Sequence, residues 1–464
     1  MTSTKARRKV GLGLLGSGVV GEAIQDIVFA DLEGQVAGDL ELEIRKIYTR
    51  NPTNKKWFSS RPSLFTTKAE DVINDSAIDI VVEVLGFQHE LELPLFRDYI
   101  LRALERGKSV VTSDKAVLAR FGKEIWAAAK KHGQQLRFEA CVGGGIPIIR
   151  ALTESFAVEE PEAIFGIING TCNYILSQME KGGKTYGEAL KEAQQKGYAE
   201  TNPAADVTGS DAEAKLLLLN AITFGLHLQP GTTWRKGIEE IHAVDFRYAG
   251  RTGSSTIKHL AVARRNGEAV QVFVSPVLLA RDNFLASIDG ATNAICFRGE
   301  KSGAARGNRD CDYVLVGPGA GGGPTAVAVL GDVCELARGQ GGFAGLPSLA
   351  PAGTLKIQPA EEIEGPFYVR FIVRDRAGIV GDIGQTFGGL GVNISEIWQL
   401  RHSEEERRSL TESYDLKESP REILPFVITL ERATLRQVRE AVDSIRNRDY
   451  ILVDPVWFPI WGTK

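Results

Sequence analysis

Short apolar runs alternate with helix-compatible segments through the first third of the chain. Each run has the length of a single strand, and the five runs are Val10–Leu15, Leu42–Tyr48, Asp79–Leu85, Lys108–Thr112 and Arg137–Cys141. Strands that alternate with helices predict a parallel, doubly wound sheet with helices on both faces. The pattern therefore predicts an α/β fold whose first domain spans residues 1–137.

The pattern changes twice beyond this domain. Residues 138–338 contain strands and helices without simple alternation, which predicts an α+β domain whose last helix can return to the first domain. Residues 339–365 are dense in glycine and proline and predict a linker. Over residues 366–464 the order strand, helix, strand, strand, helix, strand predicts a ferredoxin-like domain. The predicted strands of the tail are Phe367–Val373, one that begins at Val392, Phe426–Leu430 and Tyr450–Trp457. One predicted helix ends at Phe387, and another spans Leu435–Ile445. A charged hairpin loop is predicted over about His402–Pro420.

Composition and charge narrow the class of protein. The 464 residues include 55 basic and 59 acidic side chains without a long run of one sign, which argues against a nucleic-acid or membrane-surface partner. The sequence contains no stretch of ~18 apolar residues, so no transmembrane helix is predicted. The cysteines are odd in number and lack the spacing of metal ligands; they are Cys141, Cys172, Cys296, Cys311 and Cys334. This pattern predicts a reduced, cytoplasmic protein.

A glycine-rich turn follows the first predicted strand and opens a helix. Its predicted ligand contacts are Gly16, Gly18, Val19, Val20 and Gly21. In this context the pattern G-x-G-x-x-G lets the backbone approach a pyrophosphate at the helix N-terminus, as in Rossmann-type domains. A purely structural tight turn is the alternative. The second strand is followed by Arg50, where an NAD site usually has Asp or Glu, so NADP(H) is favoured and NAD(H) is the alternative.

The segment from Gly197 to Lys215 has the most distinctive polar pattern. It places three carboxylates and a lysine around a proline and glycine turn, namely Glu200, Asp206, Asp211 and Lys215. Ser210 and Glu213 fit a capping box, which predicts a helix from Asp211 with Lys215 one turn further on the same face. A lysine that enters a core is partly desolvated, and this lowers its pKa toward values useful for proton transfer. The alternative is an ordinary surface pair worth about 0.3–0.5 kcal/mol.

Six segments, in this order, resemble homoserine dehydrogenases. They are Gly16–Gly21, Val110–Ala116, Glu139–Pro147, Asn169–Leu176, Gly197–Lys215 and Gly317–Thr325. The resemblance covers roughly residues 10 to 335. It implies a reversible NAD(P)-linked reaction between L-aspartate 4-semialdehyde and L-homoserine, on the biosynthetic route to threonine, methionine and isoleucine. Two places depart from the family's pattern: Gly86-Phe87-Gln88 replaces paired glycines, and Ser113-Asp114 replaces Ala-Asn.

The resemblance also implies roles for individual residues. Lys215 would donate the proton, with Asp211 beside it. The substrate would contact Glu200, Asp206, Asp211, Thr171 and Tyr198. The cofactor would contact Thr112, Lys115, Gly197, Glu200, Gly319 and Gly321 in addition to the glycine turn and Arg50, and Lys115 could serve the substrate instead. A monovalent cation, Na⁺ or K⁺, would be held by Glu139 and the carbonyl groups of Val142, Gly144 and Ile146; a plain glycine-rich connector is the alternative.

The tail resembles an ACT domain in its Asp375–Gly378 turn and its Gly391–Ile394 strand entry. This resemblance implies threonine as an effector and a homodimer or homotetramer, and a tail that only dimerises is the alternative. Two other classes of protein stay open. An aldehyde-oxidising dehydrogenase would need a cysteine nucleophile, for which Cys141 and Cys172 are the candidates. A non-catalytic NADP(H)-linked sensor would use only the cofactor domain and the tail.

Overall fold

The computed structural model describes residues 7–30, 38–86, 90–251, 254–303, 313–339, 348–350, 353 and 355–462. Phe87, Gln88, Cys311 and much of the predicted linker lie outside these residues. Among the described helices, none combines the length and the apolar character that crossing a bilayer requires.

The first part of the chain forms a parallel sheet with the strand order β3-β2-β1-β4-β5-β6. Its elements are β1 (Arg8–Leu15), α1 (Val19–Ala30), β2 (Leu40–Tyr48), β3 (Phe65–Thr66), α2 (Glu70–Ile73), β4 (Ile80–Glu83), α3 (Leu93–Glu105), β5 (Ser109–Thr112), α4 (Lys115–Lys131) and β6 (Leu136–Arg137). β4 is buried along its whole length because helices cover both faces, which explains its uninterrupted apolar sequence. The Rossmann-type prediction is confirmed.

One predicted strand is wrong beyond its start. The run Arg137–Cys141 is a strand only as far as Arg137, and Glu139–Cys141 forms a 3₁₀ turn. The chain bends there because the carboxylate of Glu139 accepts hydrogen bonds from the backbone N–H groups of Ile149 and Arg150, at 2.8 and 2.9 Å.

The middle of the chain builds an antiparallel sheet with the order β12-β11-β7-β9-β10. Its elements are α5 (Ile148–Arg150), β7 (Pro161–Ile167), α6 (Gly170–Gly182), α7 (Tyr186–Gln195), α8 (Ala204–Val207), α9 (Ser210–Phe224), β8 (Trp234–Arg235), α10 (Ala243–Ala249), β9 (Ser255–Asn266), β10 (Ala269–Ala280), β11 (Thr292–Gly299), α11 (Glu300–Gly303), β12 (Tyr313–Pro318) and α12 (Gly322–Arg338). Helix α12 packs on the first sheet beside α1, where Val329 and Val333 join the core around Leu12.

The tail forms a second antiparallel sheet, β17-β14-β16-β15, with α13 and α15 packed on it. Strand β13 (Lys356–Ile357) precedes the tail, within the residues predicted to be a linker, and pairs in parallel with β10. The elements of the tail are β14 (Glu364–Arg374), α13 (Ile379–Gly389), β15 (Ile394–Trp398), α14 (Glu404–Ser413), β16 (Ile423–Thr434), α15 (Leu435–Arg446) and β17 (Ile451–Trp461). The predicted hairpin loop is wrong because it contains helix α14. Ser403 and Glu406 form a capping box at its start, and Leu410 is buried.

The tail is joined to the middle of the chain by strand pairing and by a buried ion pair. The end of β17 pairs in parallel with β10, through Leu278 with Ile460 and Leu279 with Trp461. Arg370 on β14 lies 2.6 Å from Asp245 on α10, and both side chains are fully buried. Neither charge would be tolerated there without the other, so this contact specifies how the tail docks.

Candidate active site

The glycine turn predicted to bind a dinucleotide lies at the carboxyl end of β1. Gly16 has a φ of +118°, and a Cβ at this position would lie 2.4 Å from the carbonyl oxygen of Val84. A Cβ at Gly21 would lie 2.6 Å from the carbonyl oxygen of Gly16, so helix and turn pack too closely for a side chain. Space beside Gly18 is open, and Val19 is exposed at the start of α1. The turn thus leaves its backbone accessible in front of a helix N-terminus, a setting that suits a phosphate group.

Arg50 lies two residues beyond the end of β2, at the same edge of the sheet as the glycine turn. Its guanidinium forms an exposed ion pair with Glu92 at 2.9 Å. An exposed pair of this kind contributes little stability, so the guanidinium can exchange its partner for an anionic ligand.

A compact charged cluster is centred on Asp211, in the first turn of α9. Its two carboxylate oxygens are shared among three donors that come from separate elements. Lys215 Nζ donates to Oδ2 at 2.7 Å, Lys115 Nζ lies 3.1 Å from Oδ1, and Asn169 Nδ2 donates to Oδ2 at 2.9 Å. Asn169 also donates to Asp206 Oδ1 at 2.7 Å and so joins the two aspartates. The ordinary surface pair is therefore excluded as a description of this cluster.

The local start of α9 differs from the prediction. The helix begins at Ser210, and its N-cap is Gly209 in the left-handed conformation, without a side-chain cap. The predicted capping box is wrong because the side chains of Ser210 and Glu213 bond elsewhere. Ser210 Oγ donates to the carbonyl oxygen of Ala205, while Glu213 is buried against the loop around Arg235.

The charges of the cluster shift the pKa values of Asp211, Lys115 and Asp206. Burial by itself would raise the pKa of Asp211, but Lys215 and Lys115 together hold this pKa well below its ordinary value. The charge of Asp211 in turn raises the pKa of Lys115. Burial, followed by the nearby charge of Asp211, raises the pKa of Asp206. One aspartate is thus kept ionised by two lysines, and the other retains a tendency to bind a cation or a proton.

Lys215 is buried and held at two of its three N–H groups. Besides its bond to Asp211, Nζ donates to the carbonyl oxygen of Ile168 at 2.9 Å. An ammonium group has three donors, so, counting the bonds to the residues that the structure describes, one donor of Lys215 remains to serve a ligand.

The remaining predicted substrate residues lie in or beside the segment before α8. Thr171 Oγ1 donates to the carbonyl oxygen of Tyr198 at 2.6 Å, which ties α6 to this segment. Tyr198 is 46% exposed, and Gly197 and Glu200 are exposed as well. Among the described residues, the hydrogen bonds that unite Asp206, Asp211 and the two lysines do not include the carboxylate of Glu200.

The buried acidic residues Glu83 and Asp114 lie where β4 and β5 end, next to the start of α4. Thr112 Oγ1 donates to Glu83 Oε2 at 2.5 Å and accepts from the backbone N–H of Asp114 at 2.9 Å. Burial, reinforced by the charge of Asp114, raises the pKa of Glu83 to about 8. Asp114 caps α4 by accepting the backbone N–H groups of Ala116 and Val117, at 2.9 and 3.1 Å. This cap fixes the first residue of the helix, Lys115, at the edge of the cluster.

The segment predicted to hold a monovalent cation adopts an irregular backbone. Gly143 and Gly144 have φ values of +75° and +55°. Both oxygens of the Glu139 carboxylate accept the N–H groups that start α5, and the carbonyl oxygen of Ile146 accepts the N–H of Ile148 at 2.8 Å. Within the described residues, no group of three or more His, Cys, Asp or Glu side chains could hold a metal ion. Any cation here would depend on main-chain carbonyl groups.

The loop that contains Gly319 and Gly321 comes close to both predicted ligand segments. A Cβ at Gly144 would lie 2.7 Å from the carbonyl oxygen of Gly319. A Cβ at Gly322 would lie 2.9 Å from a side-chain carbon of Val19, beside the glycine turn. The fold therefore brings the glycine loop, the predicted cation segment and the first turn of α1 together.

The structure adds Asn169 to the residues singled out from the sequence. Asn169 caps α6 by accepting the backbone N–H of Cys172 at 2.8 Å, and its amide nitrogen bridges Asp206 and Asp211. Asparagine before a helix is an ordinary capping signal, so the sequence could have revealed the cap but not the bridge.

The candidate cysteine nucleophiles are buried thiols. Cys141 Sγ donates to the carbonyl oxygen of Thr112 at 3.4 Å, and Cys172 Sγ donates to that of Asp206 at 3.2 Å. Burial raises the pKa of both thiols well above its ordinary value. Because the thiolate is the reactive form, neither residue is suited to nucleophilic attack.

Comparison with known proteins gives a consistent result. The family profile described as homoserine dehydrogenase matches residues 147–334, and that of the homoserine dehydrogenase NAD binding domain matches residues 11–139. A homoserine dehydrogenase of a Synechocystis species is 36% identical over 419 residues, which cover 88% of this chain and 93% of that protein. The crystal structure of a homoserine dehydrogenase from Thiobacillus denitrificans superposes with a TM-score of 0.82 at 31% identity, over 98% of this chain and 99% of the other. A hyperthermophilic archaeal homoserine dehydrogenase in complex with NADPH has a TM-score of 0.59 at 25% identity, over 72% and 99% of the two chains.

Proposed function

The chain belongs to the homoserine dehydrogenase family, and we propose that it interconverts L-aspartate 4-semialdehyde and L-homoserine with NADP(H) as the preferred cofactor. One observation carries the proposal for the site. Two lysines and an asparagine converge on Asp211, and the asparagine also binds Asp206, directly beside the cofactor domain. An amino-acid substrate with a reacting oxygen needs both parts of this arrangement.

Lys215 is the proposed proton donor to the aldehyde oxygen. Its Nζ donates to Asp211 and to the carbonyl oxygen of Ile168, and an ammonium has a third N–H that would serve the substrate. The bound nicotinamide supplies the hydride in this direction and accepts it in the reverse. As negative charge develops on the oxygen, the ammonium stabilises it and transfers a proton, and homoserine oxidation returns that proton to Nζ.

The carboxylates of the site are proposed to hold the substrate's ammonium group. Asp206 suits this role because the side chain that binds it in the cluster is the neutral amide of Asn169, and a buried ammonium needs a carboxylate partner. Asp211 is then the group that positions Lys215 and Lys115. Thr171, Tyr198 and Glu200 are the proposed contacts from the neighbouring segment, with Tyr198 and Glu200 on its exposed side.

The proposed preference for NADP(H) rests on Arg50. A guanidinium at the end of the second strand can form paired hydrogen bonds to a 2′-phosphate, and its exposed ion pair with Glu92 is readily exchanged. The accessible backbone at Gly18 and the close packing at Gly16 and Gly21 suit the pyrophosphate. Thr112, Lys115, Gly197, Gly319 and Gly321 are the proposed contacts on the nicotinamide side.

A monovalent cation on the carbonyl groups of Val142, Gly144 and Ile146 is a further part of the proposal. The two left-handed glycines support it, since they turn successive carbonyl groups away from regular pairing. Glu139 would contribute mainly by holding α5 in place. Thermal unfolding in Na⁺, K⁺ or tetramethylammonium chloride tests the site without reference to activity; equal midpoints in the three salts would contradict it.

We also propose that residues 366–464 act as an ACT domain that binds threonine. The ferredoxin-like order of β17, β14, β16 and β15 supports this assignment. Initial rates of the full chain with and without threonine test it, and a tail that only dimerises predicts identical rates.

The experiment that tests the proposed function is direct. The chain is mixed with L-homoserine and NADP⁺, and the reduced-nicotinamide absorbance is followed, with NAD⁺ in a parallel series. Absorbance should rise without phosphate and faster with NADP⁺. A rise that needs the aldehyde and phosphate would indicate an aldehyde-oxidising enzyme, and no rise under any condition would favour a sensor.

A further inference from the structure

We propose that Glu213 and Arg235 are positioning residues that couple the catalytic helix α9 to the C-terminal sheet through the stacked pair Trp234 and Trp457. This inference rests on the proposed role of Asp211 and Lys215 in homoserine oxidation.

Glu213 lies between Asp211 and Lys215 in the chain, and its side chain is only 1% exposed. Its Oε1 accepts the backbone N–H of Gly231 at 3.0 Å and the hydroxyl of Thr233, and its Oε2 accepts Arg235 Nη1 at 2.7 Å. All three donors lie within residues 231–235, a loop that ends in the short strand β8. The buried carboxylate therefore holds this loop against the first turn of α9. If the carboxylate of Glu213 lost these donors while it stayed buried, the folded state would be strongly destabilised, and the first turn of α9 would have to move.

The same loop also holds α8, which contains Asp206. The backbone N–H of Ile238 donates to the carbonyl oxygen of Val207 at 2.9 Å. Gly209, between α8 and α9, has a φ of +81°, and a Cβ there would lie 3.3 Å from Arg235 Cγ and 3.1 Å from His259 Cε1. The loop therefore packs on the junction that sets the relative positions of Asp206 and Asp211.

The other side of the loop contacts the tail. The short strand β8 pairs with β10 through Trp234 with Phe273, and the ring of Trp234 stacks on that of Trp457 at 5.7 Å with an angle of 3° between planes. Lys236 Nζ lies 5.2 Å from the same ring of Trp457. Trp457 belongs to β17, and it is opposite Val369 in the register of β14. A displacement of the C-terminal sheet thus reaches Glu213 through consecutive residues, Trp234 and Arg235.

Through these contacts the tail can affect the reaction, although none of its described residues belongs to the proposed active site. A shift of β17 would move Trp234, loosen the bond from Arg235 to Glu213 and disturb the geometry of Asp211 and Lys215. Such a shift changes turnover more than it changes cofactor binding, because the glycine turn lies in the other sheet.

Four full-length variants test the coupling: Glu213→Gln, Trp457→Leu, their combination, and Phe371→Leu as the matched control. Phe371 stacks on Phe426 at 5.2 Å inside the same C-terminal sheet, so its truncation loosens that core without removing the ring that stacks on β8. Arg235→Met, at an exposed position, replaces Glu213→Gln if the latter does not fold.

Glu213→Gln should lower kcat for homoserine oxidation by about 10- to 100-fold, the effect of a small misplacement of catalytic groups, with KM for NADP⁺ unchanged. Trp457→Leu should lower kcat several-fold and add nothing to Glu213→Gln, whereas Phe371→Leu should leave kcat unchanged. Additive losses, or an equal loss in Phe371→Leu, would overturn the coupling.

Amide hydrogen exchange gives a second, substrate-free measurement on the same proteins. Exchange in the first turn of α9 should accelerate in Glu213→Gln and in Trp457→Leu but not in Phe371→Leu. Unchanged exchange in the first two variants refutes the coupling whether or not the wild-type chain oxidises homoserine. An inactive wild-type chain with accelerated exchange in those variants would contradict the proposed function and leave the coupling supported.

Discussion

Glu83 should make the stability of the protein fall as pH rises through the neutral range. Burial and the charge of Asp114 raise its pKa from 4.5 to about 8 in the folded chain. Between these two values the unfolded chain has lost the proton and the folded chain retains it, so the folded state binds more protons and its stability decreases with pH. At about 1.4 kcal/mol per pH unit, the window of about 3.5 units corresponds to a decrease on the order of 5 kcal/mol.

The substitution Glu83→Gln removes this proton from both states while it keeps the shape of the side chain. The free energy of unfolding, from urea titrations at pH 5, 6, 7 and 8, should therefore rise in the variant relative to wild type as pH increases. In Asp114→Asn, the free energy of unfolding should fall less with pH than in wild type, because the substitution removes the charge that reinforces the effect of burial on the pKa of Glu83.

Glu90→Gln, at a carboxylate that is 80% exposed, is the control for the loss of one acidic group away from a buried position. Titrating groups that do not interact with Glu83 contribute equally to wild type and Glu83→Gln and cancel in the comparison. The reasoning would be refuted if Glu83→Gln differed from wild type by the same amount at pH 5 and pH 8.

Three predictions concern the proposed reaction. Lys215→Ala should lower kcat by about 10²–10⁴, the usual contribution of general acid catalysis, with KM for the cofactor little changed; near-wild-type turnover in initial-rate measurements would remove Lys215 from this role. Arg50→Asp should shift the ratio of kcat/KM values from NADP⁺ toward NAD⁺, and unchanged cofactor kinetics would contradict the assignment of the 2′-phosphate site. Asn169→Ala should raise KM for homoserine about tenfold, since Asp206 and Asp211 lose the amide that orients them, and one weakened bond between a carboxylate and the substrate's ammonium costs about 1.5 kcal/mol. An unchanged KM for homoserine would show that the bridge between the aspartates has no part in binding.

The elements that follow from local pattern were predictable from the sequence. The apolar runs of β1, β4 and β5 are strands because a parallel sheet covered on both faces buries nearly all of their residues, whereas β2 is buried only at Leu40, Ile44 and Ile47. Helical spacing alone brings Lys215 within one turn of Asp211, and their ion pair has this separation. Errors arose where a side chain found a partner far away in the chain, as Glu139 did at the start of α5.

Which residues surround Asp211 could be learned only from the tertiary structure. Lys115 reaches Asp211 from the start of α4, and Asn169 reaches it from the cap of α6, although neither is near α9 in sequence. Glu83 lies beside Thr112 because β4 and β5 pair in parallel with these two residues in register. No spacing along the chain encodes these approaches, since they depend on how separate elements pack.

The sequence by itself therefore determined the order of the elements, the glycine turn and the pairing of Asp211 with Lys215, all of which depend on residues that are close in the chain. Only the tertiary structure decided that Asp211 is shared by two lysines, that Asn169 joins it to Asp206, and that Glu213 turns away from its own helix to Arg235. The physical reason is burial. A charge taken out of water must find partners, and the fold, not the local sequence, determines which partners are within reach.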